Sequence, residues 1–349
     1  MRSNEPKFTV KRESTGKSIF GSVQNLKREV KSPRIYIATM TTFKMFSGSS
    51  HPAFAQQICD ELKIPLGKMT IKQFACGETY VKFDETFRGQ DVFLVQTGRT
   101  GHMNNDLVEL LLMIDAAKRS FAENVHVVMP YFAYSRQDKI HAPREGISAK
   151  MWANMLTRAG ADHVITMHLH SDQIQGFFDC PVDNLNPRKL FLDYFSKKKL
   201  IDPVVVAPDA GGAKEAKKFA DELGVPLVIL HKTRPEHNVS AVTHVIGDVK
   251  GKTPIIIDDM VDTGGTPCGA KEALIAAGAR DEVYLATTHA IFSGPARNRL
   301  TKANFKEIVA TDTLPVENPP KNFKTLSVAP LLAKVIKNVV DHQSVSKLY

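Results

Sequence analysis

Two carboxylates stand side by side at Asp258-Asp259, a third follows at Asp262, and the turn Thr263-Gly264-Gly265-Thr266 comes directly after. The apolar run Ile255-Ile256-Ile257 before them has the mark of a strand buried on both faces. Thr266 reads as the N-cap of a helix with Pro267 at its first position, and Gly278 reads as the cap at the far end. Glycines let backbone N–H groups converge, and a helix start adds partial positive charge, so the turn suits a phosphate. Carboxylates beside a phosphate would repel it unless they face ribose hydroxyls or a metal. The stretch therefore reads as a cradle for a phosphorylated sugar. It lacks the G-K-[ST] ending of a nucleotide P-loop.

Other strings could complete such a site. Val204 to Ala207 is an apolar strand followed by Pro208-Asp209-Ala210-Gly211-Gly212, again a carboxylate and paired glycines where open α/β sheets bind ligands. Asp209 is either a helix cap or a ribose or metal contact. His168 and His170 end the string VITMHLH; read as one strand, it projects both from the same face. Asp172, Asp179 and Asp183 follow and could complete an oxygen-rich shell for Mg²⁺. In Tyr131 to Lys139 (YFAYSRQDK), Arg136 and Lys139 beside Gln137 suit a polyphosphate with an adenine nearby. Lys232 and Arg234, at i and i+2 in a polar segment, could close over a phosphoryl group, although surface basic pairs are common.

The elements that must position these residues alternate along the chain. Residues 92–96, 125–129 and 164–167 read as strands, and 51–62, 105–120 and 148–159 as helices. A second run follows with strands at 204–207, 227–230, 254–258 and 282–287 and helices at 213–223 and 267–277. Both runs predict parallel-sheet α/β domains. The expected division is a basic, disordered extension at 1–34, an N-terminal domain at 35–186, a C-terminal domain at 187–330, and a helix and tail at 331–349. The extended string PVDNLNP is taken as the connection between the domains.

The formal charge of +9 hints at nucleic acid, but +6 of it sits in residues 1–34, leaving +3 for the other 315. Anionic substrates account for that better than a duplex, and no nucleic-acid motif is present. The four cysteines are scattered without CxxC spacing, which suits a reducing compartment and argues against structural zinc. No apolar run is long enough to span a bilayer.

Taken together, these strings resemble the ribose-phosphate pyrophosphokinase (phosphoribosyl-pyrophosphate synthetase) family, from about Lys44 to Ser346. LHSDQIQGFFDCPVD is close to the family signature, and PDAGGAK, HKTR, DDMVDTGGT and HAIFSGPA match it too. The resemblance implies two tandem parallel-sheet domains of type I phosphoribosyltransferase-like fold. It implies Mg²⁺-dependent transfer of the β,γ-pyrophosphoryl group of ATP to the 1-hydroxyl of ribose 5-phosphate. Asp209, Asp258, Asp259, Asp262, Thr263, Gly264, Gly265 and Thr266 would hold the sugar phosphate. Arg136, Gln137, Asp138 and Lys139 would contact ATP, and Phe74, Cys76, Gly77 and Glu78 would line the adenine pocket from a neighbouring subunit. Lys232, Arg234 and His170 would be catalytic. His170 and Asp209 would bind the metal, with His168, Asp179 and Asp183 as further candidates. The family's usual assembly is a hexamer built from dimers.

The chain departs from the pattern at His168, where the signature begins with Asp, at Cys76, where Asn or Asp is usual, and near Ile140 and His141. Those departures keep open a non-catalytic regulatory homologue that joins synthetase oligomers. A phosphoribosyltransferase would have neither the HSDQIQGFF string nor tandem domains. Ser346-Lys347-Leu348 spells a peroxisomal address, but Tyr349 follows and that signal must be terminal. Cytosol is the expected compartment, with a peroxisome-like organelle as the alternative.

Overall fold

The computed structural model describes residues 43–236 and 239–348, and their side chains except at 232–243. The extension expected at 1–34 and the side chains of Lys232 and Arg234 lie outside the described residues.

The first half runs β1 (Phe43–Ser47), α1 (Pro52–Leu62), the strand pair β2 (Met69–Gln73) and β3 (Thr79–Phe83), β4 (Asp91–Val95) and α2 (Met103–Arg119). It continues with β5 (Val125–Val128), α3 (Ser148–Ala159), β6 (His163–Met167), a 3₁₀ turn at Asp172–Phe177 and β7 (Val182–Leu185). Five strands form one parallel sheet in the order β1-β4-β5-β6-β7, while β2 and β3 pair antiparallel as a separate ribbon. Alternation along the strands explains the layers. Val92 and Leu94 face α2 and α3 through Leu110, Met113, Trp152 and Leu156, while Phe93 and Val95 face α1 through Phe54 and Ile58. The string PVDNLNP is less a connection than an edge strand, since Val182 to Leu185 pair with Val164 to Met167.

The second half runs α4 (Arg188–Phe195), β8 (Pro203–Ala207), α5 (Ala213–Leu223), β9 (Leu227–Glu236), β10 (Val239–Ile246) and β11 (Thr253–Val261). Then come α6 (Gly265–Ala276), β12 (Tyr284–Ala290), α7 (Ala296–Ala303), β13 (Glu307–Thr311), β14 (Phe323–Leu326) and α8 (Ala329–Val340). Its seven strands lie in the order β10-β9-β8-β11-β12-β13-β14, all parallel except β10 against β9. Val204, Val206 and Ile256 pack on α6 and α7, and Val205, Ala207 and Ile255 pack on α4 and α5. The last helix leaves this sheet. Leu332, Val335 and Ile336 of α8 are buried with Phe54 and Ile58 of α1, on the face of the first sheet.

Candidate functional site

In the second sheet the chain order reverses between β8 and β11, so their carboxyl ends diverge into a crevice, the place where open α/β sheets bind ligands. Val206 is in register with Ile256, which puts the loop carrying Asp209 beside Asp258 and Asp259 at adjacent strand ends. Asp209 Oδ1 accepts the N–H of Gly212 at 3.1 Å and so closes the turn into α5. Asp258 Oδ1 accepts the N–H of Asp259 at 3.0 Å.

The glycine turn is built differently from its sequence expectation. Helix α6 starts at Gly265, and Gly264 occupies the N-cap position with φ 75°, so Thr266 and Pro267 fall inside the first turn. A left-handed φ is one that glycine adopts most readily, having no Cβ to strain. Thr263 is exposed, with its carbonyl accepting from Arg299 at 3.2 Å. At the other end of α6 the cap is Ala277, followed by Gly278 at φ 91°.

Side chains at the carboxyl ends of the two sheets meet along one polar seam. Thr97, after β4, donates to the carbonyl of Thr313 at 2.7 Å. His289 of β12 lies fully buried with Nε2 3.0 Å from the carbonyl of Met167, the last residue of β6. A carbonyl only accepts, so Nε2 carries the proton and Nδ1 accepts from the Thr313 hydroxyl at 2.9 Å. Burial pushes the His289 pKa down to about 4, so the ring is neutral at physiological pH.

The expectation that His168 and His170 share a face fails here. Strand β6 ends at Met167, and His168 takes φ 46°, which breaks the alternation. The His168 ring turns to Thr288, Nδ1 to Oγ1 at 2.6 Å, and burial holds its pKa below the ordinary value. His170 instead pairs across the seam with Asp259, Nδ1 to Oδ2 at 2.6 Å. The hydrogen bond that His170 donates to the Asp259 carboxylate raises the His170 pKa. For Asp259 burial works the other way, but His170, His168 and Asp258 together outweigh it and its pKa is lowered.

A second pair crosses the seam. Arg136, in the loop after β5, reaches Asp262 just past β11, Nη2 to Oδ2 at 2.8 Å. The other carboxylate oxygen of Asp262 accepts from the Ser293 hydroxyl. Arg136, Gln137, Tyr131, Tyr134 and Asp262 line a cavity of about 360 Å³ between the two halves. Gln137 accepts from Ser148 at 2.5 Å, while Asp138 is half-buried and Lys139 exposed.

Two predicted metal candidates are not brought to this place. Asp183 is turned to His163 at the start of β6, at 3.2 Å, the opposite end of the strand from His168. Asp179 is exposed, and among the described residues no group of three or more His, Cys, Asp or Glu is placed to hold a metal. Phe74, Cys76, Gly77 and Glu78 form the exposed tip between β2 and β3, where Gly77 at φ 96° donates to the Phe74 carbonyl at 2.8 Å. Phe74 is 52% exposed, and the Tyr80 ring stands edge-on to it at 5.9 Å between centroids. The sequence reading gave no role of their own to Tyr131, His289 and Ser293, which stand in YFAYSRQDK and HAIFSGPA, and did not single out Thr288. A histidine in the apolar string ATTHAIF was the available signal, because a buried imidazole needs partners.

A family model described as the N-terminal domain of ribose phosphate pyrophosphokinase matches residues 43–160, and a phosphoribosyl transferase domain model matches 185–320. The ribose-phosphate pyrophosphokinase of Wolinella succinogenes is 47% identical over 310 residues, covering 89% of this chain and 100% of that one. The Bacillus subtilis protein of the same name is 44% identical over 308 residues, covering 88% of this chain and 96% of its own. The crystal structure of phosphoribosylpyrophosphate synthetase from Mycobacterium smegmatis aligns at 43% identity with a TM-score of 0.81, covering 86% of this chain and 99% of that one. The chain belongs to the ribose-phosphate pyrophosphokinase family.

Proposed function

We propose that the seam divides the two substrates of the family's reaction, with ribose 5-phosphate at the β8/β11 crevice and ATP on the loops of the first sheet. The reaction transfers the β,γ-pyrophosphoryl group of ATP to the 1-hydroxyl of ribose 5-phosphate and releases AMP. The anomeric hydroxyl attacks the β-phosphorus and the bond to the α-phosphate oxygen breaks. Transfer of this kind is mostly positioning and charge neutralisation.

The observation that carries this assignment is the pairing across the seam. Two of the carboxylates that would repel a phosphate are each matched by a base from the other half, Asp259 by His170 and Asp262 by Arg136. Asp258 and Asp259 are assigned to ribose hydroxyls, and Asp262 to Thr266 to the 5-phosphate. Arg136, Gln137, Asp138 and Lys139 are assigned to ATP, and Lys232 and Arg234 to the transferring phosphates. The exposed tip Phe74–Glu78 offers an aromatic face, Phe74 being 52% exposed, which suits the adenine of a neighbouring subunit in a hexamer built from dimers.

For Mg²⁺ the donor set fits. The ion is usually held by one or two carboxylates together with substrate phosphates, so a closed protein cage is not expected. Asp209 and His170 would hold it, His170 through the ring nitrogen not spent on Asp259, in the carboxylate–histidine arrangement that orients a ligand. When bound, the ion would neutralise charge on the phosphates.

Cytosol is the proposed compartment, since all four cysteines are free. No helix among the described residues is long and apolar enough to cross a membrane.

Nucleotide analysis after incubation with ATP, Mg²⁺ and ribose 5-phosphate tests the assignment. AMP should appear in step with phosphoribosyl pyrophosphate and only when the sugar is present. ADP as product would overturn the reaction class, and absence of turnover with assembly onto an active synthetase would make the chain a regulatory homologue.

A further inference from the structure

We propose that Arg136 and Asp262 form a latch that nucleotide must open. This rests on the assignment of Arg136 to ATP and of Asp262 to the sugar-phosphate loop, and goes beyond it by coupling the two. Both residues are placed firmly. The Ser293 hydroxyl takes one oxygen of Asp262, and the Ser293 N–H donates to the Asp262 carbonyl at 3.0 Å, so the remaining oxygen is aimed at the guanidinium. The loop of Arg136 is tied down beside it. The N–H of Gln137 donates to Tyr134 at 2.9 Å, and the carbonyl of Gln137 accepts from Ala149 at 3.2 Å.

The pair spans the cavity of about 360 Å³ whose apolar walls include Met103, Tyr131, Tyr134 and Ile291. Asp259, the other carboxylate paired across the seam, is held by His170. The contact to Asp262 runs through Nη2, so a phosphate that takes both terminal nitrogens of the guanidinium as a fork competes with Asp262 for that one. Nucleotide binding in the sugar-free protein therefore works against the Arg136–Asp262 pair.

The latch reverses the ordinary expectation for a sugar-side substitution. Asp262→Asn keeps the shape and the Ser293 bond but frees Arg136. It should tighten binding of α,β-methylene-ATP with Mg²⁺, measured by calorimetry without ribose 5-phosphate. The Arg136 side chain is 49% exposed and Asp262 23%, so the expected gain is modest, about two- to fivefold. The gain should vanish in an Arg136→Met background, and shrink as salt is raised. Asp262→Ser provides a second variant should the first misfold. An unchanged or weaker affinity in Asp262→Asn, with wild-type binding intact, would overturn the latch and leave the ATP assignment standing. No nucleotide binding by the wild type would overturn both.

Discussion

In the first sheet the strands follow one another monotonically from β4 to β7, so their carboxyl-end loops all lie along a single line. In the second the order reverses between β8 and β11, and two loops diverge to leave a crevice. The chemistry divides with the topology. The reversing sheet contributes carboxylates and glycines at its switch point, Asp209, Asp258, Asp259 and Gly264. The monotonic sheet contributes bases reaching over from its loops, Arg136 and His170. In the proposed assignment the acidic half needs the basic residues of the other half beside its phosphate. The polar seam through His289, Thr288 and Thr313 sets the separation between them, and α8 returning to the first sheet fastens the second half to the first.

The largest way to break this division is at the transferring phosphates. Lys232→Ala should lower turnover about 10²- to 10³-fold while ribose 5-phosphate still binds, because the charge is needed mainly as negative charge develops. Calorimetry with the sugar phosphate beside a steady-state assay separates the two effects. Near-normal turnover would remove Lys232 from the chemistry. Next comes the fastening helix. Leu332 is fully buried against the first sheet, so Leu332→Ala should cost about 2–5 kcal/mol. Hydrogen exchange should show protection lost in β1 and β4 together with α8. Loss confined to the second sheet would mean that α8 does not tie the halves together.

Much of the fold was legible in the residues. The helices at 51–62, 148–159 and 213–223 match α1, α3 and α5 to within a residue, because their apolar residues recur at helical spacing. The short edge strand Val182–Leu185 was not legible, since Asp183 and Asn184 hide the apolar pattern that central strands show. At the site, residue types announced the acidic cradle, but the answer to its charge did not come from nearby sequence. Arg136 lies 126 positions from Asp262, and His170 lies 89 from Asp259. Such pairs depend on which loops two sheets bring together, which spacing does not encode. The single dihedral at His168 likewise escaped notice, because it turns one ring off the strand's alternation.

A smaller effect tests the cross-seam pair of His170 and Asp259. Asp259→Asn leaves a hydrogen-bond partner for His170 but removes the charge that orients it and raises its pKa. Activity should fall about 10- to 100-fold, the usual cost of losing a partner behind a ligating or reacting histidine. Thermal stability should change far less, because the His170 side chain is 41% exposed and solvent screens the pair. Equal losses of activity and stability would instead mark the pair as scaffolding.

The smallest expected effect is at His168, the position where the family signature carries Asp. Its ring spends Nδ1 on Thr288 and points into the pocket shared with Asn186, Arg188, Glu215 and Asp258, whereas His170 is the residue that reaches Asp259. Asp tolerates the left-handed conformation that His168 adopts and can still accept from the Thr288 hydroxyl. A new carboxylate near Glu215 and Asp258 is unfavourable, so His168→Asp should lower stability by about 1 kcal/mol. The Mg²⁺ activation curve should stay within about twofold of the wild type, because a side chain bonded to Thr288 across the seam is not poised for the metal. A clear shift of that curve to lower Mg²⁺ would place position 168 in the metal's shell after all, and would make the two histidines partners rather than residues with separate work.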